Sequence, residues 1–95
     1  MAPPQKSYIY VKWKHSHPEE PVHLYSELDR ERYETRKVEI FSDGRRGFAD
    51  GSEEFGGTRL GETAVPPLSE LAGDPQFEGK VITADEFQRQ WLKRR

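Results

Sequence analysis

Val38-Glu39-Ile40-Phe41-Ser42-Asp43-Gly44-Arg45-Arg46-Gly47-Phe48-Ala49 is the stretch that decides the fold. Asp43-Gly44 between two runs of β-formers is the strongest short-range hairpin signal, because both residue types tolerate the positive φ that tight turns demand. A two-residue turn pairs Ser42 with Arg45, Phe41 with Arg46, Ile40 with Gly47, Glu39 with Phe48 and Val38 with Ala49. In that register one face carries Val38 and Ile40 opposite the small Gly47 and Ala49, which lets a helix approach closely. The other face carries Tyr33, Phe41 and Phe48 among Lys37, Glu39 and Arg46.

Working outward, the first hairpin strand extends back to Tyr33, and the charged turn Leu28-Asp29-Arg30-Glu31-Arg32 precedes it. Upstream, Tyr8-Ile9-Tyr10-Val11-Lys12-Trp13-Lys14 alternates, with Ile9, Val11 and Trp13 on an expected core face and Tyr8, Tyr10, Lys12 and Lys14 on the other. Two prolines, Pro18 and Pro21, interrupt before Val22-His23-Leu24-Tyr25-Ser26-Glu27 resumes the alternation, so these runs read as an antiparallel pair.

Downstream, Thr83-Ala84-Asp85-Glu86 has the form of a capping box, with Ile82 and Phe87 placed as the accompanying hydrophobic staple. Ala84, Phe87 and Trp91 share one face of the helix that follows. Between hairpin and helix, Pro67-Leu68-Ser69-Glu70-Leu71-Ala72-Gly73 predicts one or two helical turns and the rest an ordered loop. Adjacent Gly56 and Gly57 in a charged, aromatic-bearing segment imply a turn that needs positive φ. The expected fold is α+β: a meander sheet of about four strands, a C-terminal helix on one face and a long structured loop. Residues 1–6 are expected to be a flexible tail and 7–95 a single domain.

The chain has 95 residues, no cysteine, 33% hydrophobic and 34% charged residues, and a formal net charge of −2. That length supports one modest core, and two Trp, four Tyr and five Phe supply its large apolar surfaces. Without cysteine there is neither a disulfide framework nor a thiolate metal site. No apolar run has membrane-spanning length, and a cytoplasmic location is expected. Residues 49–79 hold seven acids (Asp50, Glu53, Glu54, Glu62, Glu70, Asp74, Glu78) against Arg59 alone, whereas residues 80–95 hold five bases against Asp85 and Glu86.

Glu20-Pro21-Val22, Leu24-Tyr25-Ser26-Glu27, Arg36-Lys37-Val38-Glu39-Ile40-Phe41, Asp43-Gly44, Glu54-Phe55-Gly56-Gly57-Thr58 and Leu60-Gly61-Glu62 follow one another along the chain. Together they resemble a family of short bacterial proteins of the domain-of-unknown-function type, over about Tyr8 to Trp91. The resemblance brings no activity, cofactor or catalytic residue with it. Size and style are similar to those of immunity proteins that neutralise a toxin, which is an analogy and not a motif match.

The residues offer little catalytic chemistry. His15-x-His17, with His23 as a third candidate, is the nearest approach to a metal site, but solvated loop histidines account for it and no metal or other cofactor is expected. No nucleophile elbow is present, and Glu19-Glu20 and Glu53-Glu54 are sequence neighbours that point apart, so no enzyme is expected. Protein binding is the favoured function, through Tyr33, Phe41, Arg46 and Phe48 with the charged Glu53, Glu54 and Arg59, and with a basic toxin as the specific partner. Two outcomes are open for the aromatic face, an interface or burial under the 51–79 segment. The alternative is a nucleic-acid module in which Tyr8 and Tyr10 stack on bases while Lys12 and Lys14 meet phosphates.

Overall fold

Residues 6–95 are described by the computed structural model. Of the tail expected over residues 1–6, residues 1–5 lie outside the described residues, and Lys6 is exposed. The elements are β1 (Ser7–Trp13), β2 (His23–Leu28), β3 (Glu34–Ile40), β4 (Arg46–Ala49), β5 (Glu54–Phe55), α1 (Leu68–Leu71), β6 (Phe77–Val81) and α2 (Ala84–Leu92). They build the expected α+β fold with one antiparallel sheet, but the sheet has six strands in the order β5-β4-β3-β2-β1-β6 and not about four. Strands β1 to β5 form the meander. The two strands missed in the sequence are its edges: β5 has only two residues, and Gly79 interrupts the alternation of β6.

The hairpin forms one residue away from the expected register. Val38 pairs with Phe48, Glu39 with Gly47 and Ile40 with Arg46. Gly44 N–H donates to Phe41 O at 3.0 Å and Phe41 N–H to Arg45 O at 2.9 Å, closing a three-residue loop with Gly44 at φ +91. The Asp-Gly pair therefore serves a turn followed by a left-handed glycine, the next commonest hairpin connection, and not the two-residue turn. A one-residue slip exchanges the faces of the whole strand. Phe48 and Arg46 consequently stand with Val38 and Ile40, while Gly47 and Ala49 face the other way.

Register carries these faces across the sheet. Tyr10 pairs with Tyr25, Tyr25 with Val38 and Val38 with Phe48, so the tyrosines of β1 share a face with the hairpin core. Helix α2 packs on that face. Val38, Phe48, Ile82, Phe87 and Trp91 form the buried cluster, with Tyr8, Tyr10, Tyr25 and Ile40 against it. The sequence placed Ile9, Val11 and Trp13 on the core face; Ile9 is indeed buried, but on the face of the sheet opposite α2. There Leu68 and Leu71 of α1 lie over Gly79 and Val11 of the sheet, so close that a Cβ on Gly79 would meet Leu68 at 2.8 Å.

The N-cap half of the capping box forms as read. Thr83 Oγ1 accepts from Glu86 N–H at 3.1 Å, and Glu86 Oε1 takes the Thr83 hydroxyl at 3.3 Å where the backbone N–H of Thr83 was the expected donor. Phe87 and Ile82 close the staple inside the core. Among the described residues no helix is long and apolar enough to cross a membrane.

Candidate functional site: the β4–β5 corner

Six of the seven residues singled out for partner binding, all but Tyr33, come together around Phe55, which was not among them. Its ring stacks on Phe48 at 5.6 Å between centroids, yet the residue is 55% exposed. Phe41, Arg45, Arg46 and Gly56 line a groove of about 300 Å³ with it. Glu53 and Glu54 adjoin it in the chain, and Arg59 reaches back to Glu54 at 3.7 Å. Phe48, 1% exposed, forms the floor of the corner and has no surface to offer. Tyr33, 44% exposed, lies away from the corner, following the β2–β3 turn.

Backbone geometry and one buried hydrogen bond shape this corner. Gly56 and Gly57 take φ +70 and +81, as their adjacency implied. A Cβ on Gly56 would meet Arg46 O at 2.8 Å and Gly47 Cα at 2.9 Å, so this glycine lets the β5 turn lie directly on β4. Thr58, 1% exposed, donates its hydroxyl to Glu39 Oε1 at 2.7 Å. Gly47 makes room for that hydroxyl, since a Cβ there would overlap it.

Further along, Gly61 N–H donates to Glu34 Oε1 at 2.6 Å, and Ser26 Oγ to Glu34 Oε2 at 3.1 Å. Lys37 Nζ lies between Glu34 Oε1 at 3.3 Å and Glu39 Oε2 at 3.7 Å and donates to Arg59 O at 3.4 Å. A β-bulge is what brings Glu34 here. Glu27 pairs with Arg36 but Leu28 with Glu34, so Thr35 is the extra residue and Glu34 is turned to the loop-covered face. The glycine and threonine of Glu54-Phe55-Gly56-Gly57-Thr58 are therefore spent on docking the loop, and Phe55 is the member left facing water.

Electrostatics at the corner differ from the acidic patch expected. Glu53 meets Arg95 at 2.6 Å, and both remain more than half exposed. Arg94 and Arg95 lie 5.1 and 5.2 Å from the Phe48 ring centroid, and Arg45 lies 4.8 Å from that of Phe41 while pairing with Asp43 at 2.7 Å. Backbone N–H groups of Ser52 and Glu53 bonded to Asp50 hold its carboxyl below the usual range. Charges of both signs thus lie about the corner.

The face proposed for nucleic acid is divided. Tyr8 lies against Phe87 at 5.4 Å under α2. Tyr10 is flanked by Tyr25 at 4.9 Å, His23 at 5.8 Å and the Lys80 ammonium at 5.8 Å. Lys12 is exposed, and Lys14 pairs with Glu78 at 2.7 Å. Burial raises the Tyr10 phenol, and burial together with the Lys12 charge lowers His23. Tyr10 Oη and His23 Nδ1 share a hydrogen bond at 2.7 Å.

The three histidines do not converge. His15 Nδ1 accepts from His17 N–H at 2.9 Å, which makes Nε2 the protonated nitrogen that donates to Pro21 O at 2.8 Å. Both of its nitrogens are engaged. His17 stacks on it at 5.5 Å and His23 is held by Tyr10. Among the described residues no group of three or more metal-ligating side chains occurs.

The class defined here is a small α+β domain whose exposed aromatic sits on a pinned loop. The chain belongs to the family DUF6881, a domain of unknown function, whose model matches residues 7–95. No curated protein and no solved structure matches it.

Proposed function

We propose that this chain is a non-enzymatic protein-binding domain and that the β4–β5 corner is its contact surface. The observation that carries this reading is the half-exposed Phe55 on a loop shaped by Gly56, Gly57 and the Thr58–Glu39 hydrogen bond. An aromatic held in place before binding loses little entropy on association, and aromatic and arginine side chains are the usual anchors of interfaces. Phe41, Arg45 and Arg46 supply the groove beside it, and Glu53, Glu54 and Arg59 a polar rim.

Immunity-type inhibition of a toxin in a bacterial cytoplasm is the specific form of this proposal. Its basic partner would meet Glu53 and Glu54 already paired with arginines, so the mixed rim favours register and specificity over long-range attraction.

Affinity capture from the native host with wild type and Phe55→Ala, followed by a dissociation constant for the purified partner, tests the reading. A centrally placed anchor of this kind is worth about 2 kcal/mol, or roughly thirtyfold in affinity. Equal retention of every captured protein by both forms counts against the corner.

The nucleic-acid alternative draws its support from Lys12, Lys14 and Lys80 gathering about Tyr10 on the part of the sheet beyond α2. Tyr8 and Tyr10 already have aromatic neighbours, which leaves phosphate contact as its main component. Single-stranded oligonucleotide binding at two salt concentrations decides it: affinity that falls with salt and with Tyr10→Ala would displace the protein-binding reading.

A further inference from the structure

The outer edge of β6 lies at the opposite end of the sheet from the corner and follows a different logic. Ile82 N–H donates to Tyr8 O at 3.0 Å and Lys14 N–H to Gln76 O at 2.7 Å. Even-numbered residues of β6 therefore direct their backbone groups to β1, while Gly79 and Val81 direct theirs outward. Among the described residues no strand lies beyond β6, and none of the hydrogen bonds outside the strand ladders involves the backbone of Gly79 or Val81. Glu78, Gly79, Lys80 and Val81 are all exposed, Val81 at 73%. An edge of this kind pairs with another strand unless something prevents it.

The sequence of β6 is complementary to itself. Gly79 is the central residue of Phe77–Val81. Laid antiparallel on a copy about a two-fold axis through Gly79, Glu78 falls opposite Lys80, Lys80 opposite Glu78, and Phe77 opposite Val81. Gly79 and Val81 carry the outward donors. Gly79 N–H would donate to Gly79 O of the copy, and Val81 N–H to Phe77 O, each twice by symmetry. Phe77 N–H is already bonded to Asp74 O at 3.1 Å and is not needed.

Glu78 and Lys80 then occupy the non-hydrogen-bonded sites, where facing side chains lie closest and opposite charges stabilise the pair. The small Gly79 keeps the axis free of side chains. Charges on an edge strand ordinarily discourage foreign strands, and here the same two charges select this strand as its own partner. The exposed Lys14–Glu78 ion pair competes only weakly, since both side chains are about half solvated at 45% and 60% exposure.

We propose that the chain self-associates through β6, joining two six-stranded sheets into one continuous antiparallel sheet across a two-fold axis at Gly79. Five residues make a short seam, so the dimer is reversible and depends on concentration.

Sedimentation equilibrium on the full chain tests this directly. The wild-type mass should rise with concentration from one chain towards two. Glu78→Lys places lysines opposite each other twice and should weaken the dimer about tenfold or more, and Glu78→Lys with Lys80→Glu should restore it. Val81→Pro removes an N–H that β1 does not use, and should leave a folded monomer by circular dichroism. In the wild type, amide exchange at Gly79 and Val81 should slow as concentration rises, while Glu78 and Lys80 stay protected throughout. A wild type that remains a single chain at millimolar concentration overturns the proposal. So does a dimer unaffected by Glu78→Lys, which does not depend on whether the proline variant folds.

Discussion

The two faces of the sheet are covered by different physics. On one, α2 lays Phe87 and Trp91 on Val38 and Phe48, an apolar contact edged by cations: the Arg36 guanidinium lies 5.0 Å from both the Phe87 and the Trp91 ring centroids, and Arg94 lies 4.3 Å from that of Trp91. On the other, the loop is held by Thr58–Glu39, Gly61–Glu34 and the lysine between those carboxylates, with Leu68 and Leu71 as its apolar contribution. An apolar contact tolerates small shifts. A buried polar network does not, because any partner moved away leaves a desolvated group unpaired. The loop face accordingly pins the β5 turn that carries Phe55, and the helix face holds the buried aromatic cluster on which its ring rests.

Trp91→Ala should be the largest single loss, about 3–5 kcal/mol in denaturant melts, because it empties the centre of the helix contact. A loss of a few tenths would show that α2 is not integral to the core and would reverse the comparison. Next comes Gly56→Ala on the loop face, where positive φ and a Cβ driven against β4 combine; about 1–3 kcal/mol is expected, with partner capture falling alongside because Phe55 is displaced. Unchanged capture would separate the corner from its supporting turn.

Thr58→Val keeps the shape of the side chain and deletes the hydroxyl that Glu39 accepts. It should cost about 1–3 kcal/mol and raise amide exchange in residues 56–62 more than in α2. Equal exchange changes in both would mean that the two faces act as one unit.

The smallest effect at neutral pH concerns Glu27. Burial pushes its carboxyl up, but hydrogen bonds from Arg36 at 2.6 and 3.0 Å and from Thr35 at 2.8 Å outweigh burial and hold it below its ordinary 4.5. A folded value below the unfolded one means stability that is present above 4.5 and lost as pH falls through the folded value. Melting temperature should therefore drop on acidification below that point, with a shallower slope in Glu27→Gln. An identical slope would show that Glu27 does not carry the acid sensitivity.

How far these features could be read beforehand follows from how local their causes are. Thr83, Glu86, Ile82 and Phe87 lie within six residues of one another, and the capped helix they describe is present. Gly56 and Gly57 announced a positive-φ turn because no other residue type favours it so readily. Phe55 beside them was legible as an aromatic in a charged loop; its exposure was not, since burial depends on what the loop folds against. The glutamate–lysine network left no sequence signal at all, because Glu34, Lys37, Glu39, Thr58 and Gly61 meet only through a bulge at Thr35.

By itself the sequence determined an α+β domain with a hairpin at Asp43-Gly44, a short helix after Pro67 and a capped C-terminal helix carrying Phe87 and Trp91, since each is set by contacts between near neighbours. Only the tertiary structure decided the rest. The hairpin slipped by one residue, a choice between turns of nearly equal local merit that was settled by burying Phe48 under α2. That slip turned Gly47 towards Thr58, the bulge turned Glu34 towards Gly61, and β6 crossed to the far edge beside β1, where nothing in its own five residues could have placed it. Register and strand order are fixed by what a whole face can bury, and that sum is taken over residues distant in the chain.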